Sequence, residues 1–199
     1  MFKIRASASG QIMTNPQKKE ALISKTTETY VQNWIKESIY GVRKEIKSKY
    51  LNKGLSLEDE AIDTAINWLD LAFVLKNEKY FEDDFFCGTP DLILENEVLD
   101  IKCSWDCFTF PLFDKEVPTK DYFYQLQVYM HLTGKTKARL VYVLLNTPEE
   151  LSYEQQNDYS NLDKKYRIKT FSIDYDKSII EDLQQRVLNI RNYISTLNY

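Results

Sequence analysis

The stretch Gly88-Thr-Pro-Asp91-Leu-Ile-Leu-Glu-Asn-Glu-Val-Leu-Asp100-Ile-Lys102 decides the fold of this chain. It holds two short, mainly apolar runs, residues 91–94 and 98–101, with a polar Glu-Asn-Glu break between them, a pattern typical of a β-hairpin. Directly opposed residues of an antiparallel pair lie about 5 Å apart at Cβ. The pattern therefore predicts that Asp91 lies at the mouth of the hairpin and faces the segment from Asp100 to Lys102.

Strand alternation sorts the side chains of the second run onto two faces. Asp100 and Lys102 share one face, and Leu99, Ile101 and Cys103 take the other. Two acids and one amine would cluster at the end of an apolar hairpin, which suits Mg²⁺, since proteins hold this ion with one or two carboxylates, water and substrate phosphate. Taken alone, an Asp-x-Lys triplet is more often a solvated edge or a surface ion pair, so both interpretations stay open here.

The composition bounds the class of protein. The 199 residues, with 3 Trp, 14 Tyr and 10 Phe, predict a single domain over residues 1–199 with one sizeable core. No apolar run reaches the roughly 20 residues that span a bilayer, and the N-terminus lacks a hydrophobic signal core, so we expect a cytoplasmic protein without a membrane partner. Three cysteines (Cys87, Cys103 and Cys107) and one histidine (His131) argue against a zinc or iron–sulfur site built on these ligands.

Charge is distributed unevenly along the chain. Residues 1–54 contain nine Lys and two Arg against four Glu, a net +7, so the remainder carries −11 of the total −4. A basic first third beside an acidic remainder predicts a positive face that meets a polyanion. A lysine-rich solvated helix is the alternative explanation.

The pattern of apolar residues predicts a mixture of helices and strands. Helices are expected within residues 20–48, from a Ser56 cap to Leu69, at Tyr122–Leu132 and at Ser178–Leu197, and strands at 71–75, 79–87, 139–145 and 166–173. Asn52-Lys-Gly54 is expected to break the first helical pattern, and residues 146–165 form a polar surface loop. This order predicts an α/β or α+β fold, with a central mixed β-sheet flanked by helices.

Two further places could add to the acid cluster. Glu58 starts a predicted helix and could aim a third carboxylate at a metal, although an acid in the first turn equally complements the helix dipole. Gln125 and Tyr129 share a helix face and could orient a phosphate or brace a metal-bound carboxylate. The alternative is that Tyr129 lies in the core and that Gln125 and Gln127 are solvated.

Taken together, these motifs resemble the PD-(D/E)xK nuclease superfamily in its RecB-type branch, and most of all the lambda exonuclease and YqaJ-type phage recombination exonucleases. Four blocks carry the resemblance, in the family's order: Ala6-Ser-Ala-Ser9, Gly54-Leu-Ser-Leu-Glu58-Asp-Glu-Ala61, Cys87-Gly-Thr-Pro-Asp91 with Leu99-Asp-Ile-Lys-Cys103, and Gln125-Leu-Gln-Val-Tyr-Met-His-Leu-Thr133. The resemblance implies a restriction-endonuclease-like core whose central motifs span residues 54–133.

The resemblance also implies roles for individual residues. The implied metal ligands, for Mg²⁺ or Mn²⁺, are Asp91, Asp100, the Ile101 carbonyl and Glu58. Lys102 would position or help deprotonate the attacking water and steady the developing charge, and Gln125 would orient substrate or the metal site. The implied DNA and phosphate contacts are Arg5, Ser7, Ser9, Thr89, Gln127 and Tyr129.

The activity implied is exonucleolytic hydrolysis of phosphodiester bonds at the ends of double-stranded DNA, 5′ to 3′, in phage-type recombination within a bacterial host cell. A single-strand annealing protein as partner and a homotrimer follow only by analogy. The sequence departs from the family in having Asp100 where Glu is common, and only five residues before Ala6. A structure-selective or nicking endonuclease and a cleavage-inactive DNA-binding protein are the alternatives. The aromatic loop Trp105–Phe113 is a subunit contact, a DNA-end wedge or core packing.

Overall fold

Two mixed β-sheets flanked by helices make up the computed structural model, which describes residues 1–18, 20–44, 48–151 and 157–198. The strands are β1 (Ile4–Arg5), β2 (Phe81–Glu82), β3 (Phe86–Gly88), β4 (Leu92–Ile93), β5 (Glu97–Cys103), β6 (Lys137–Val143) and β7 (Ile168–Asp174). The helices are α1 (Lys25–Tyr40), α2 (Lys49–Ser56), α3 (Glu58–Trp68), α4 (Lys120–Thr133) and α5 (Lys177–Thr196), with 3₁₀ turns at Ala6–Ile12, Glu149–Leu151 and Lys164–Tyr166.

The larger sheet has the strand order β4-β5-β6-β7 and the smaller one the order β1-β3-β2. β5 pairs antiparallel with β4 and parallel with β6, and β6 pairs antiparallel with β7. In the smaller sheet, β3 runs parallel to β1 and antiparallel to β2. The predicted class, an α+β fold with mixed sheet flanked by helices, is confirmed, and the second small sheet is an addition to it.

Both faces of β5 are buried, each against different helices. Leu99 and Ile101 belong to a hydrophobic cluster with α3, whereas Val98 belongs to the larger cluster that contains α1, α4 and α5. Alternation therefore directs Asp100 and Lys102, which share the face of Val98, toward α4. Among the described helices, none is long and apolar enough to cross a bilayer.

Local signals place the ends of two predicted helices correctly. Thr119 caps α4 by accepting a hydrogen bond from the Tyr122 amide, and Gly134 ends the helix in the left-handed conformation, with φ of 70°. That conformation suits a residue without a Cβ, as the Thr-Gly end of the helical pattern predicts. The C-terminal helix and the strands near residues 139–145 and 166–173 are confirmed as α5, β6 and β7.

Other local predictions are wrong. Helix α2 runs through Asn52-Lys-Gly54 instead of breaking there, because the Lys53 side chain is buried and anchors the helix from within. Ser56 is the last residue of α2 and bonds back to the Lys53 carbonyl, so it does not cap α3. The strand expected at residues 71–75 is a loop with a left-handed turn, and the strand expected at residues 79–87 is divided between β2 and β3.

Candidate active site

The hairpin forms in the register that its sequence predicts. Leu92 pairs with Leu99 and Ile93 with Val98, which places Asp91 just before β4 and opposite the middle of β5. The Asp91 carboxylate accepts a hydrogen bond of 2.6 Å from the Ile101 amide. The acid is thereby fixed against the strand that carries the second acid and the lysine.

Asp100, which is buried, and Lys102, which is half-buried, form an ion pair on the face of β5 that faces α4. Asp100 is 1% exposed, and its Oδ2 lies 2.6 Å from Lys102 Nζ. The ammonium also lies 5.0 Å from the ring centre of Tyr122 on α4, a cation–π contact. Burial lowers the pKa of Lys102, but the carboxylates of Asp100 and Asp91 outweigh burial and hold that pKa above its usual range. Lys102 is therefore an ammonium in this site.

Gln125 connects the acid pair to α4. Its Nε2 donates to Asp100 Oδ1 at 3.0 Å and to the Tyr129 hydroxyl at 3.1 Å. Tyr129 lies against Gly88, where an added Cβ would come within 2.8 Å of the Tyr129 ring. Burial, and then the charge of Asp100, raise the pKa of Tyr129 above its usual range, so this phenol stays protonated. Gln125 thus braces Asp100, and Tyr129 with Gly88 holds Gln125 in place.

The two carboxylates fit a divalent cation. Burial, and next the neighbouring charge of Asp100, raise the pKa of Asp91 to about 7, which means that the two acids repel each other in a poorly hydrated place. A divalent cation bound by both would relieve that repulsion, and two carboxylates with water and substrate phosphate are a typical Mg²⁺ environment. Within the described residues no group of three or more His, Cys, Asp or Glu side chains is arranged to hold a metal. The structure thus supplies two acids, not three.

Glu58 is the acid that the structure does not bring into the cluster. It opens α3 near enough for its charge to contribute, as the least of several causes, to the raised pKa of Asp91. Its carboxylate, however, lies 2.7 Å from Lys76 Nζ, which also binds Asp59 at 2.7 Å. Glu58 would have to leave Lys76 to complete a metal site.

The residues assigned to DNA and phosphate contacts divide into two groups. Arg5, Ser7 and Thr89 are exposed and lie on β1, the following 3₁₀ turn and the segment between β3 and β4. Ser9 is buried, with its hydroxyl donating to the Ala6 carbonyl at 2.7 Å. Gln127 is also buried, and its amide bonds the backbone of Asp174 and Asp176, so the structure does not bring Ser9 or Gln127 to the acid cluster.

Several residues at the site carried no role in the sequence prediction. Tyr122 lies one helical turn before Gln125, and that spacing could have indicated a shared face. Lys76 and Asn77 are different, because only the fold brings them to the site. Asn77 donates its backbone amide to the Asp91 carbonyl at 2.8 Å and its side-chain amide to the Pro90 carbonyl at 2.9 Å.

The structure also gives the exposure and the partners of residues in the basic first third and in the aromatic loop. Lys53 is buried, and Lys3 and Lys25 form ion pairs with Glu82 and Glu28, so the charge count overstates the free positive surface. For the aromatic loop Trp105–Phe113, core packing holds for Phe110, whereas Phe108 and Phe113 are exposed, as a subunit contact or a DNA-end wedge requires.

Known exonuclease structures share this fold. A phage-related exonuclease from Haemophilus somnus superposes with a TM-score of 0.83 at 28% sequence identity, covering 96% of this chain and 93% of that one. An alkaline exonuclease from Laribacter hongkongensis superposes with a TM-score of 0.73 at 18% identity, covering 97% of this chain and 88% of that one. The same enzyme in complex with dAMP gives a TM-score of 0.72 at 18% identity over the same shares.

No protein-family model matches the chain. No curated protein matches it either. The likeness to known proteins therefore comes from three-dimensional structure, and the phage-related exonuclease supplies the stronger part of it.

Proposed function

We propose that this protein is a metal-dependent DNA exonuclease of the phage type, of the PD-(D/E)xK superfamily and its RecB-type branch. The observation that carries the proposal is the convergence of Asp91, Asp100 and Lys102 at one end of a buried hairpin. The 28% identity and TM-score of 0.83 with a phage-related exonuclease support it, since they extend over nearly the whole of both chains.

In this proposal, Asp91 and Asp100, with the Ile101 carbonyl, hold Mg²⁺ or Mn²⁺. The bound ion would supply Lewis-acid polarisation of the phosphate and a more acidic water. Lys102, an ammonium, donates a hydrogen bond and stabilises the negative charge that develops on phosphorus oxygens as water attacks and the P–O bond breaks. Gln125 orients Asp100. Glu58 joins only if it exchanges Lys76 for the metal.

The finer parts of the proposal concern substrate and setting. We place the activity at the ends of double-stranded DNA, 5′ to 3′, in recombination or DNA processing, with Arg5, Ser7 and Thr89 as the exposed candidates for phosphate contact. The whole chain, residues 1–199, acts as one nuclease domain. A trimer and an annealing partner rest on analogy with the family alone.

The test uses two DNA substrates and one matched pair of variants. The protein is incubated in Mg²⁺ with linear 5′-phosphorylated duplex and with a covalently closed circle, beside Lys102→Met and the surface control Lys177→Met, which removes an exposed lysine of α5. We expect progressive loss of linear DNA only, abolished by Lys102→Met and kept by Lys177→Met. Cutting of the circle would favour an endonuclease. Binding of both DNAs without cleavage in Mg²⁺ or Mn²⁺ would favour a DNA-binding protein.

A further inference from the structure

In the loop between α3 and β2, one aromatic residue has a strained backbone conformation that no contact within the described residues compensates. Phe73 is fully exposed, and its φ of 61° puts it in the left-handed region. A bulky residue with positive φ is a true outlier, and such conformations typically cost about 1–3 kcal/mol. Glycine there would remove the strain and the exposed apolar surface together.

A second residue with positive φ in the same loop, Asp70, differs from Phe73 because its position explains its conformation. Asp70, with φ of 53°, follows the end of α3, where the Leu71 amide bonds back to the Ile66 carbonyl at 3.0 Å. A left-handed residue after a helix is ordinary chain termination, and aspartate tolerates that conformation. Phe73 has no such role, since it ends no helix and packs against nothing in the part of the chain that the structure describes.

Residues that follow Phe73 in the loop are held by packing, ion pairs and hydrogen bonds, which places the loop backbone near the candidate site. Val74, beside Phe73, packs into the hydrophobic cluster under α3. Lys76 bridges Glu58 and Asp59, and Asn77 bonds the backbone of Pro90 and Asp91. The loop that presents Phe73 is thus tied to the backbone of a metal-site acid itself. Leu75, also exposed, adds a second apolar side chain to the same surface.

We infer that Phe73 is a stacking platform for an unpaired base of the DNA substrate beside the cleavage site. This inference rests on the proposed nuclease function. A nucleic-acid strand whose phosphate lies at Asp91 and Asp100 places its neighbouring bases over the surface around the site, and this loop is joined to that site by the hydrogen bonds of Asn77 to the Asp91 and Pro90 carbonyls. Exposed aromatic rings are what proteins use to bind unpaired bases, because every base has a face that stacks on them. An isolated ring of this kind offers little to a protein partner, which needs a larger buried patch.

The experiment uses three substitutions in the otherwise intact protein. Phe73→Gly removes the ring and the strain, Asp70→Gly places glycine at the other left-handed position of the loop and keeps the ring, and Phe73→Trp keeps an aromatic face. Each is assayed in Mg²⁺ on 5′-phosphorylated duplexes with fully paired ends and with ends carrying unpaired bases. KM and kcat are measured separately, with the thermal midpoint and the sedimentation coefficient of each variant.

For Phe73→Gly we expect KM on unpaired ends to rise roughly tenfold, as one lost stacking contact predicts, with kcat changed less than twofold and a thermal midpoint no lower than that of the wild type. Asp70→Gly should keep the wild-type KM, and Phe73→Trp should restore it. A wild-type KM for Phe73→Gly would overturn the inference while the nuclease function stands. A changed sedimentation coefficient would also overturn it, by assigning Phe73 to a subunit contact. A wild-type protein that neither binds nor cleaves DNA would overturn the proposed function itself.

Discussion

Two lysines lie close to β5, Lys53 buried and Lys102 half-buried, and the structure holds them with different partners. Lys102 meets a carboxylate at 2.6 Å and the Tyr122 ring at 5.0 Å. Lys53, 0% exposed, has no carboxylate among its hydrogen-bond partners in the described residues: it donates to the backbone carbonyls of Trp105 and Leu145, each at 2.8 Å, and lies 5.9 Å from the centre of the Trp105 ring. Burial lowers the pKa of Lys53, whereas the neighbouring acids raise the pKa of Lys102 despite burial. The partner, and not the residue type or its burial, decides what each lysine can do.

The two buried glutamines of α4 repeat this difference. Gln125 donates to the Asp100 carboxylate, and Gln127 bonds the backbone carbonyl of Asp174 and the backbone amide of Asp176. Lys102 and Gln125 therefore form an acid-binding pair, and Lys53 and Gln127 a backbone-binding pair. The first pair shapes the chemistry of the candidate site. The second joins elements of the fold, α2 to the ends of β5 and β6, and α4 to the start of α5.

The largest expected effect separates the two lysines. Lys102→Met should lower the rate of DNA cleavage by about 10³-fold, because it removes the charge that stabilises the transition state in the proposed mechanism. Lys53→Met should leave the rate of the folded protein within tenfold of wild type but lower the free energy of unfolding by about 1–3 kcal/mol, since two buried carbonyls lose their donor. Cleavage kinetics and urea unfolding of both variants check this. Equal loss of activity in two folded variants would contradict the assignment of a chemical role to Lys102 and a structural role to Lys53.

A smaller effect should separate the two glutamines. Gln125→Leu should raise the Mg²⁺ concentration for half-maximal cleavage by about 10- to 100-fold, as is typical when a residue that orients a metal ligand is removed. Gln127→Leu should leave the Mg²⁺ requirement unchanged and lower the free energy of unfolding by about 1–3 kcal/mol. Titration of cleavage with Mg²⁺, and of Mn²⁺ binding by calorimetry, measures the first. An unchanged Mg²⁺ requirement in Gln125→Leu would place Gln125 with the backbone-binding pair.

The acid-binding pair could be predicted from the sequence because its signals are local. A polar break between two apolar runs fixes the hairpin, and alternation then sets Asp100 and Lys102 on one face. A helical pattern bounded by a cap and a glycine fixes α4, whose spacing brings Gln125 and Tyr129 together. Each of these steps needs only neighbours in the chain, whereas the role of Gln125 at Asp100, 25 residues away, is implied by the family resemblance.

The rest depends on residues far apart in the sequence. Lys53 reaches a carbonyl 92 residues away, so nothing near Asn52-Lys-Gly54 indicates that a helix passes through it. The motif around Glu58 predicts a metal ligand, but Lys76, 18 residues later, binds the Glu58 carboxylate. The same holds for Gln127, whose backbone partners lie 47 and 49 residues along the chain. Tertiary partners decide these roles, and local pattern does not contain them.

The smallest expected effect tests the lowered pKa of Lys53 through the pH dependence of stability. Because this pKa lies below its usual 10.5 in the folded protein, the unfolded chain binds more protons between the two values, and stability should rise with pH across that window. A single such proton contributes at most about 1.4 kcal/mol per pH unit.

The free energy of unfolding is measured from pH 8 to 10.5 for Lys53→Met and its parent. Both carry Cys103→Ser, because burial raises the pKa of the Cys103 thiol and the charge of Lys53 opposes that shift. The parent should gain stability relative to the variant as pH rises. Parallel curves would mean that Lys53 titrates in the fold as it does in the unfolded chain, and that its two carbonyl partners and the Trp105 ring together keep a buried ammonium charged.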